Sequence, residues 1–103
     1  MLKTEVTLRT PSDIALHLAE KCKRRRLFER LSRKTLARLS DVPEETIKRF
    51  EQSGRISLES LLKIAFSLNA LVPFGSLFDL PAAHSMADLE KMTENRLPQR
   101  GRR

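Results

Sequence analysis

The chain is poor in aromatic residues: it has five Phe and neither Trp nor Tyr. Proteins that bind single strands, or that read RNA on a β-sheet, rely on exposed aromatic rings that stack on the bases. The composition therefore disfavours both classes. The chain also has a single cysteine, Cys22, which excludes an internal disulfide bond and indicates a reducing compartment. Because Cys22 lies among apolar residues, we expect a buried thiol rather than a reactive one.

The sequence lacks the residue sets that are typical of catalytic or metal sites. Its two histidines, His17 and His84, lie far apart, and no further ligand follows at the spacing of a zinc site. The three glycines do not form the pattern of a phosphate-binding loop. The sequence also shows no set of a nucleophilic side chain and a general base that is typical of covalent catalysis. We therefore predict that the protein is not an enzyme and needs no metal or cofactor. Met86 and Met92 are expected to pack on a helix near the C-terminus.

Long apolar runs are also missing. No stretch approaches the roughly 20 apolar residues of a membrane-spanning helix, and the N-terminus lacks the apolar core of a signal peptide. We therefore expect a cytoplasmic protein with no membrane partner.

Positive charge is abundant. Twenty Lys and Arg residues face thirteen Asp and Glu residues, which gives a formal net charge of +7 and favours a polyanionic partner. The run Lys23-Arg24-Arg25-Arg26 is either a DNA-contacting patch or a solvated helix face. Residues 95–103 predict a disordered basic tail, which either contacts phosphates without specificity or only keeps the chain soluble.

The length suits one domain with short extensions. We assign residues 1–10 to an N-terminal arm, 11–80 to the domain, and 81–103 to a short helix and the basic tail. Apolar residues alternate with polar ones over residues 2–8, which is typical of a strand. This segment is either a loosely packed arm or a strand that pairs with a second copy or a partner.

Helical spacing and capping residues predict about five helices. The first begins near Thr10-Pro11, covers about residues 12–29, and turns five residues inward: Ile14, Ala15, Leu18, Ala19 and Cys22. The fourth begins at Ser57, ends near Asn69, and has an apolar stripe of Leu58, Leu61, Leu62, Ala65 and Leu68. The apolar segment Val72–Leu80 is expected to cover the bundle through Phe74, Leu77 and Phe78. A last short helix is predicted over about residues 86–94.

Between these helices the sequence predicts a helix-turn-helix from Ser32 to Gly54. Ser32 caps the second helix, which turns Leu36, Ala37 and Leu39 inward. Asp41-Val42-Pro43 forms the turn, where Asp is one of the few residues other than Gly that tolerates a left-handed backbone. The third helix begins with Glu44 and Glu45, buries Ile47 and Phe50, and stops at Gly54. In this motif the second of the two helices enters the major groove of DNA.

The segments LSRKTLARLSDVPEETIKRFEQSG and ISLESLLKIAFSLNAL resemble the XRE/Cro-repressor class of regulators. More narrowly they resemble HipB-like antitoxins, which often read Leu-Ala-x-x-Ser-Gly-Val-Ser and then Thr-Ile-x-x-Phe-Glu-x-x-Gly. The resemblance covers about residues 18–71 and implies an all-α, lambda-repressor-like bundle. Asp41 replaces the family's Gly, Pro43 replaces its Ser, and Glu44 and Glu45 stand where many relatives carry polar or basic residues.

The resemblance implies roles for ten residues. Outward residues of the recognition helix would read bases: Glu44, Glu45, Lys48 and Arg49. Residues near the helix ends would contact phosphates: Ser32, Arg33, Lys34 and Arg55. Arg26 and Glu51 would form a structural ion pair. Arg49 suits guanine and Lys48 suits guanine or a phosphate, whereas the two glutamates either accept from cytosine or cap the helix and repel phosphates.

The function implied is a sequence-specific repressor that binds a palindromic operator as a homodimer. By the resemblance, it is the autoregulating antitoxin of an operon that also encodes a HipA-like Ser/Thr kinase toxin. Segment Val72–Leu80 and the last helix would dock the kinase. Some related systems have a third small subunit that neutralises the toxin, so such a subunit is a further partner to consider. The alternative, which Glu44 and Glu45 favour, is a module that chiefly binds a partner toxin or kinase and binds DNA weakly.

Overall fold

A computed structural model describes residues 9–82 and 90–91. Within these ranges the protein is all-helical and has no strand, with four α-helices and one 3₁₀ helix: α1 (Pro11–Phe28), α2 (Arg33–Ser40), α3 (Glu44–Ser53), α4 (Leu58–Ser67) and the 3₁₀ helix Val72–Ser76. Of the predicted last helix, only Glu90 and Lys91 are described, and both are helical. The predicted strand over residues 2–8 and the basic tail over 95–103 lie outside the described residues.

Three of the four α-helices, α1, α2 and α4, begin at the predicted capping residues. Thr10 and Asp13 form a reciprocal capping box on α1, in which each side chain accepts a hydrogen bond from the other residue's backbone amide, at 3.1 and 3.2 Å. Backbone amides of Arg9 and Thr10 that donate to Asp13 lower the pKa of its carboxyl. Ser32 and Ser57 cap α2 and α4 through their hydroxyl oxygens.

Two left-handed residues end the middle helices. Asp41 ends α2 at φ 60°, and Gly54 ends α3 at φ 81°. The amide of Gly54 donates to the carbonyl of Phe50 at 2.7 Å. A Cβ atom at Gly54 would lie only 3.0 Å from the carbonyl carbon of Ala15 on α1. Glycine is therefore required at this position both for its backbone conformation and for the close contact with α1.

The core lies where α2, α3 and α4 meet. α3 packs against α1 and α2, and α2 packs against α4. One cluster holds five buried side chains, with Cys22, Leu31, Ala37 and Ile56 packed around it; the five are Leu36, Val42, Ile47, Ile64 and Leu68. The predicted inward positions of Leu36, Val42, Ile47 and Phe50 are confirmed.

Several predicted core positions are wrong. Leu39 is 52% exposed, because α2 turns Leu36 and Ser40 inward instead, and the Ser40 hydroxyl donates to the carbonyl of Leu36 at 2.7 Å. Leu58 is 66% exposed at the start of α4, whereas Ile64, which the predicted stripe omitted, is fully buried. Two further predicted inward positions on α1, Ile14 and Leu18, are also exposed.

The segment after α4 does not cover the bundle as predicted. Phe74 is half-buried, but Leu77 and Phe78 project into solvent. The chain leaves the 3₁₀ helix in an extended conformation at Leu77, and Phe78 then adopts a positive φ of 71°. Within residues 9–82 and 90–91, no helix combines the length and the apolar character that crossing a lipid bilayer requires.

Candidate nucleic-acid interface

Helices α2 and α3 are joined by only three residues, Asp41, Val42 and Pro43. The left-handed Asp41 reverses the chain, and the amide of Val42 donates to the carbonyl of Ala37 at 3.2 Å. The Val42 side chain is buried, and the carbonyl of Pro43 accepts from the first turn of α3. A turn this short, anchored by a buried side chain, fixes the direction of α3 relative to α2.

Helix α3 has one buried face and one exposed face. Ile47 and Phe50 are buried, and the four residues predicted to read bases are all exposed: Glu44, Glu45, Lys48 and Arg49. None of these four forms an ion pair with another described residue. Positions three and four apart on a helix share a face, so Glu45, Lys48 and Arg49 form one polar surface.

Gln52 belongs to the same surface and was missed in the sequence analysis. It is exposed and lies one helical turn beyond Lys48 and Arg49. The spacing of residues 45, 48, 49 and 52 is the helical signal that identifies it. A glutamine amide can donate to and accept from the major-groove edge of adenine.

The predicted phosphate contacts fall into two groups. Ser32 caps α2, with its hydroxyl oxygen accepting from the Thr35 amide at 3.0 Å, and Lys34 beside it is exposed. Arg55 is exposed just after α3, where its amide donates to the hydroxyl of Ser53. The structure therefore places cationic side chains in the first turn of α2 and just beyond the end of α3.

Arg33 has a structural contact that the sequence analysis did not predict. Its Nε donates to Oε1 of Glu51 at 2.9 Å, and its side chain is one-third exposed. The guanidinium has five N–H groups, so others remain for a second acceptor. Arg33 therefore links the start of α2 to the end of α3.

The ion pair predicted for Arg26 and Glu51 is present. Nε of Arg26 donates to Oε2 of Glu51 at 2.7 Å, and Nη2 donates to Oε1 at 3.1 Å. Nη1 of the same guanidinium donates to the carbonyl of Leu31 at 2.9 Å. The Glu51 side chain is 1% exposed and the Arg26 side chain 7%. With Arg33, this cluster connects α1, α2 and α3 behind the exposed face of α3.

The charge state of Glu51 follows from two opposing effects. Burial raises the pKa of its carboxyl, because a charged group is poorly solvated in the interior. Hydrogen bonds and positive charge from Arg26 and Arg33 outweigh burial, and the pKa lies below the ordinary value of 4.5. Glu51 is therefore ionised at neutral pH.

The cationic run on α1 is largely engaged within the protein. Arg24 pairs with Glu20 at 3.4 Å, and Arg25 pairs with Glu29 at 3.3 Å. Arg26 is buried in the cluster around Glu51. These contacts favour the interpretation of the run as a solvated helix face over a DNA-contacting patch.

Cys22 and the acidic residues offer no metal site in the described part of the chain. Among residues 9–82 and 90–91, no three His, Cys, Asp or Glu side chains are grouped so that they could hold a metal ion. Burial, followed by the negative charge of Glu51, raises the pKa of Cys22 to about 11, so this half-buried side chain is a neutral thiol at pH 7.

No protein-family model, no curated protein and no solved structure matches this chain.

Proposed function

We propose that this chain is a sequence-specific double-stranded DNA-binding repressor of the helix-turn-helix class, with a lambda-repressor-like arrangement in which α3 enters the major groove. One observation carries the proposal: α3 is held by a buried ion cluster and a short turn, while Glu45, Lys48 and Arg49 remain exposed together. Binding to base edges requires a rigid helix with long polar side chains on its outer side.

The proposed contacts follow from side-chain chemistry. Arg49 binds the O6 and N7 atoms of guanine, and Lys48 binds guanine or a neighbouring phosphate. Gln52 extends this surface toward adenine. Ser32, Lys34 and Arg55 contact phosphates on either side, together with the N–H groups of Arg33 that Glu51 does not use. The net charge of +7 supports association with a polyanion.

The resemblance of residues 18–71 to HipB-like antitoxins extends the proposal. The protein acts in the cytoplasm as a homodimer on a palindromic operator, with its recognition helices one turn of duplex apart, about 34–36 Å. It represses its own operon, and its protein partner is a HipA-like Ser/Thr kinase toxin, with a third small subunit in a three-component version. A kinase-like reading frame beside the gene would support this part of the proposal.

A mobility-shift assay with the DNA upstream of the gene tests DNA binding. We expect the double variant Lys48→Ala/Arg49→Ala to bind at least about tenfold more weakly, because one bidentate base contact is worth ~1–3 kcal/mol. Lys63→Ala is the matched control, since it removes an exposed cation from α4 and should leave binding unchanged. Affinity of the wild type should also fall steeply as salt rises.

Two results would contradict the proposal. Equal binding by the wild type and the double variant would show that α3 is not the recognition helix. An absence of binding at low salt, with or without a partner protein, would exclude the regulator function.

The alternative function is a protein-binding module with weak DNA affinity, and the exposed carboxylates of Glu44 and Glu45 favour it. The variant Glu44→Gln/Glu45→Gln separates the two functions. If these carboxylates accept from cytosine, the variant loses discrimination at specific base pairs. If they repel phosphates, the variant binds all sequences more tightly, which would favour the protein-binding module.

A further inference from the structure

An open apolar groove of about 230 Å³ lies between α1 and α4. Leu18 and Cys22 of α1 and Leu61 and Ala65 of α4 line it, together with Phe74 of the 3₁₀ helix. The groove is open because α1 and α4 do not pack closely against each other, and it is apolar because most of its lining side chains are. An exposed apolar groove of this kind costs free energy in water unless something fills it.

Two cations mark the α1 edge of the groove, Lys21 and Arg25. Arg25 is already engaged, since its Nη2 donates to the carbonyl of Asn69 at 3.1 Å and its Nε contacts Glu29. Lys21 is exposed and forms no ion pair with any residue of 9–82 or 90–91. An occupant with an apolar side chain and a neighbouring carboxylate would fill the groove with the side chain and form an ion pair between the carboxylate and Lys21.

The chain itself presents such a group at Phe78. The ring is 102% exposed, and Leu77 beside it is also exposed. Phe78 has a φ of 71°, a conformation that is uncommon for a bulky residue. Asp79 follows directly and supplies a carboxylate. Aromatic side chains, Phe among them, are enriched at protein interfaces relative to the rest of the surface.

We propose that a second copy of this chain fills the groove: Phe78 of each protomer inserts between α1 and α4 of the other, and Asp79 pairs with Lys21. Phe78 follows Phe74, which lines the groove, by only four residues. In a two-fold dimer the same patch of each protomer carries both the ring and the groove, so the two insertions form together.

The proposal names the interface of the homodimer in the proposed function. It rests on that function only for what the dimer does on DNA. Each buried aromatic ring removes about 150–250 Å² of surface from water. Two rings with their neighbours make a small interface, below the roughly 1,200 Å² of stable complexes, so we expect a concentration-dependent dimer.

Analytical ultracentrifugation of the full chain without DNA tests the interface. The wild type should change from monomer to dimer as its concentration rises. Phe78→Ser should weaken the dimer at least tenfold and leave the circular dichroism spectrum unchanged, because this ring makes no buried contact. Phe66→Ser is the matched control: this ring of α4 is also exposed, does not line the groove, and its loss should leave the dimer intact.

A charge exchange tests the pairing of Asp79 with Lys21. Lys21→Asp and Asp79→Lys should each weaken the dimer, and the double variant should restore it, because the exchanged charges again attract. Equal dimerisation of the wild type and Phe78→Ser would overturn the proposal, as would failure of the double variant to recover. A wild type that stays monomeric at every concentration would also overturn it and would assign the groove to another occupant. All three results leave the DNA-binding test of Lys48 and Arg49 unaffected.

Discussion

Arg26 and Glu51 lie 25 residues apart in the sequence and form two hydrogen bonds to each other in the interior, at 2.7 and 3.1 Å. Neither side chain is accessible enough for water to replace its partner. A third bond from Arg26 to the carbonyl of Leu31 and one from Arg33 to Glu51 leave both groups well satisfied. The cluster therefore fixes α3 relative to α1 and α2.

Replacing Glu51 with Ala should lower the free energy of unfolding by about 3–5 kcal/mol, because the charge of Arg26 would remain buried without its partner. Urea unfolding followed by circular dichroism measures this loss. Glu59→Ala is the control, since its pair with Lys63 is exposed and long at 3.7 Å, and should cost less than about 1 kcal/mol. Similar losses in the two variants would contradict a structural role for the cluster.

The pKa of Glu51 predicts how stability depends on pH. Its folded pKa lies below the ordinary value of 4.5, so the ionised carboxylate stabilises the fold. This contribution is complete above the unfolded pKa and is lost as the pH falls through the lower, folded pKa. The urea midpoint of the wild type should therefore drop at acidic pH. Glu51→Gln should flatten this dependence, because it removes the carboxylate whose folded pKa is lowered.

Gly54→Ala should destabilise the protein by about 1–3 kcal/mol, the usual cost of a left-handed non-glycine residue. The new Cβ would also lie 3.0 Å from backbone of Ala15, which cannot move aside as a flexible side chain would. Gly75→Ala provides a matched control, because no atom lies within 4 Å of the position of its Cβ. Thermal unfolding of the two variants measures the difference. Equal melting temperatures would contradict this prediction.

Leu36→Ala should cost about 2–5 kcal/mol, because Leu36 is fully buried in the core and its removal leaves a cavity. Leu39→Ala, three residues later on the same helix, should change stability by no more than about 0.5 kcal/mol, since the Leu39 side chain is half exposed. Chemical unfolding curves of the two variants measure the difference. A larger loss at Leu39 than at Leu36 would mean that α2 packs with its other face inward.

The positions of the helices could be predicted because their signals are local. Thr10, Ser32 and Ser57 act within one turn of the helices that they cap, and Gly54 is required by its own backbone angle. The left-handed conformation expected at Asp41 is also a property of a single residue. Such signals need no knowledge of what packs against the helix.

Side-chain burial was harder to predict, because it depends on which neighbours a helix meets. The apolar residues of α4 extend over more than one face, and the sequence alone does not show that Ile64 rather than Leu58 meets the core. The contact between Arg33 and Glu51 joins residues 18 positions apart on two consecutive helices, and no pattern within either helix encodes it. Gln52 could have been found by extending the helical spacing of the residues predicted to read bases by one turn.

The contact between Gly54 and Ala15 also limits which pairs of substitutions this protein can accept. Two of the three atoms nearest to a Cβ at position 54 belong to the backbone of α1, and only the third is the methyl group of Ala15. Shortening Ala15 to glycine would therefore not rescue a larger residue at position 54. Related chains that keep this helix crossing should retain glycine at position 54 whichever small residue stands at position 15.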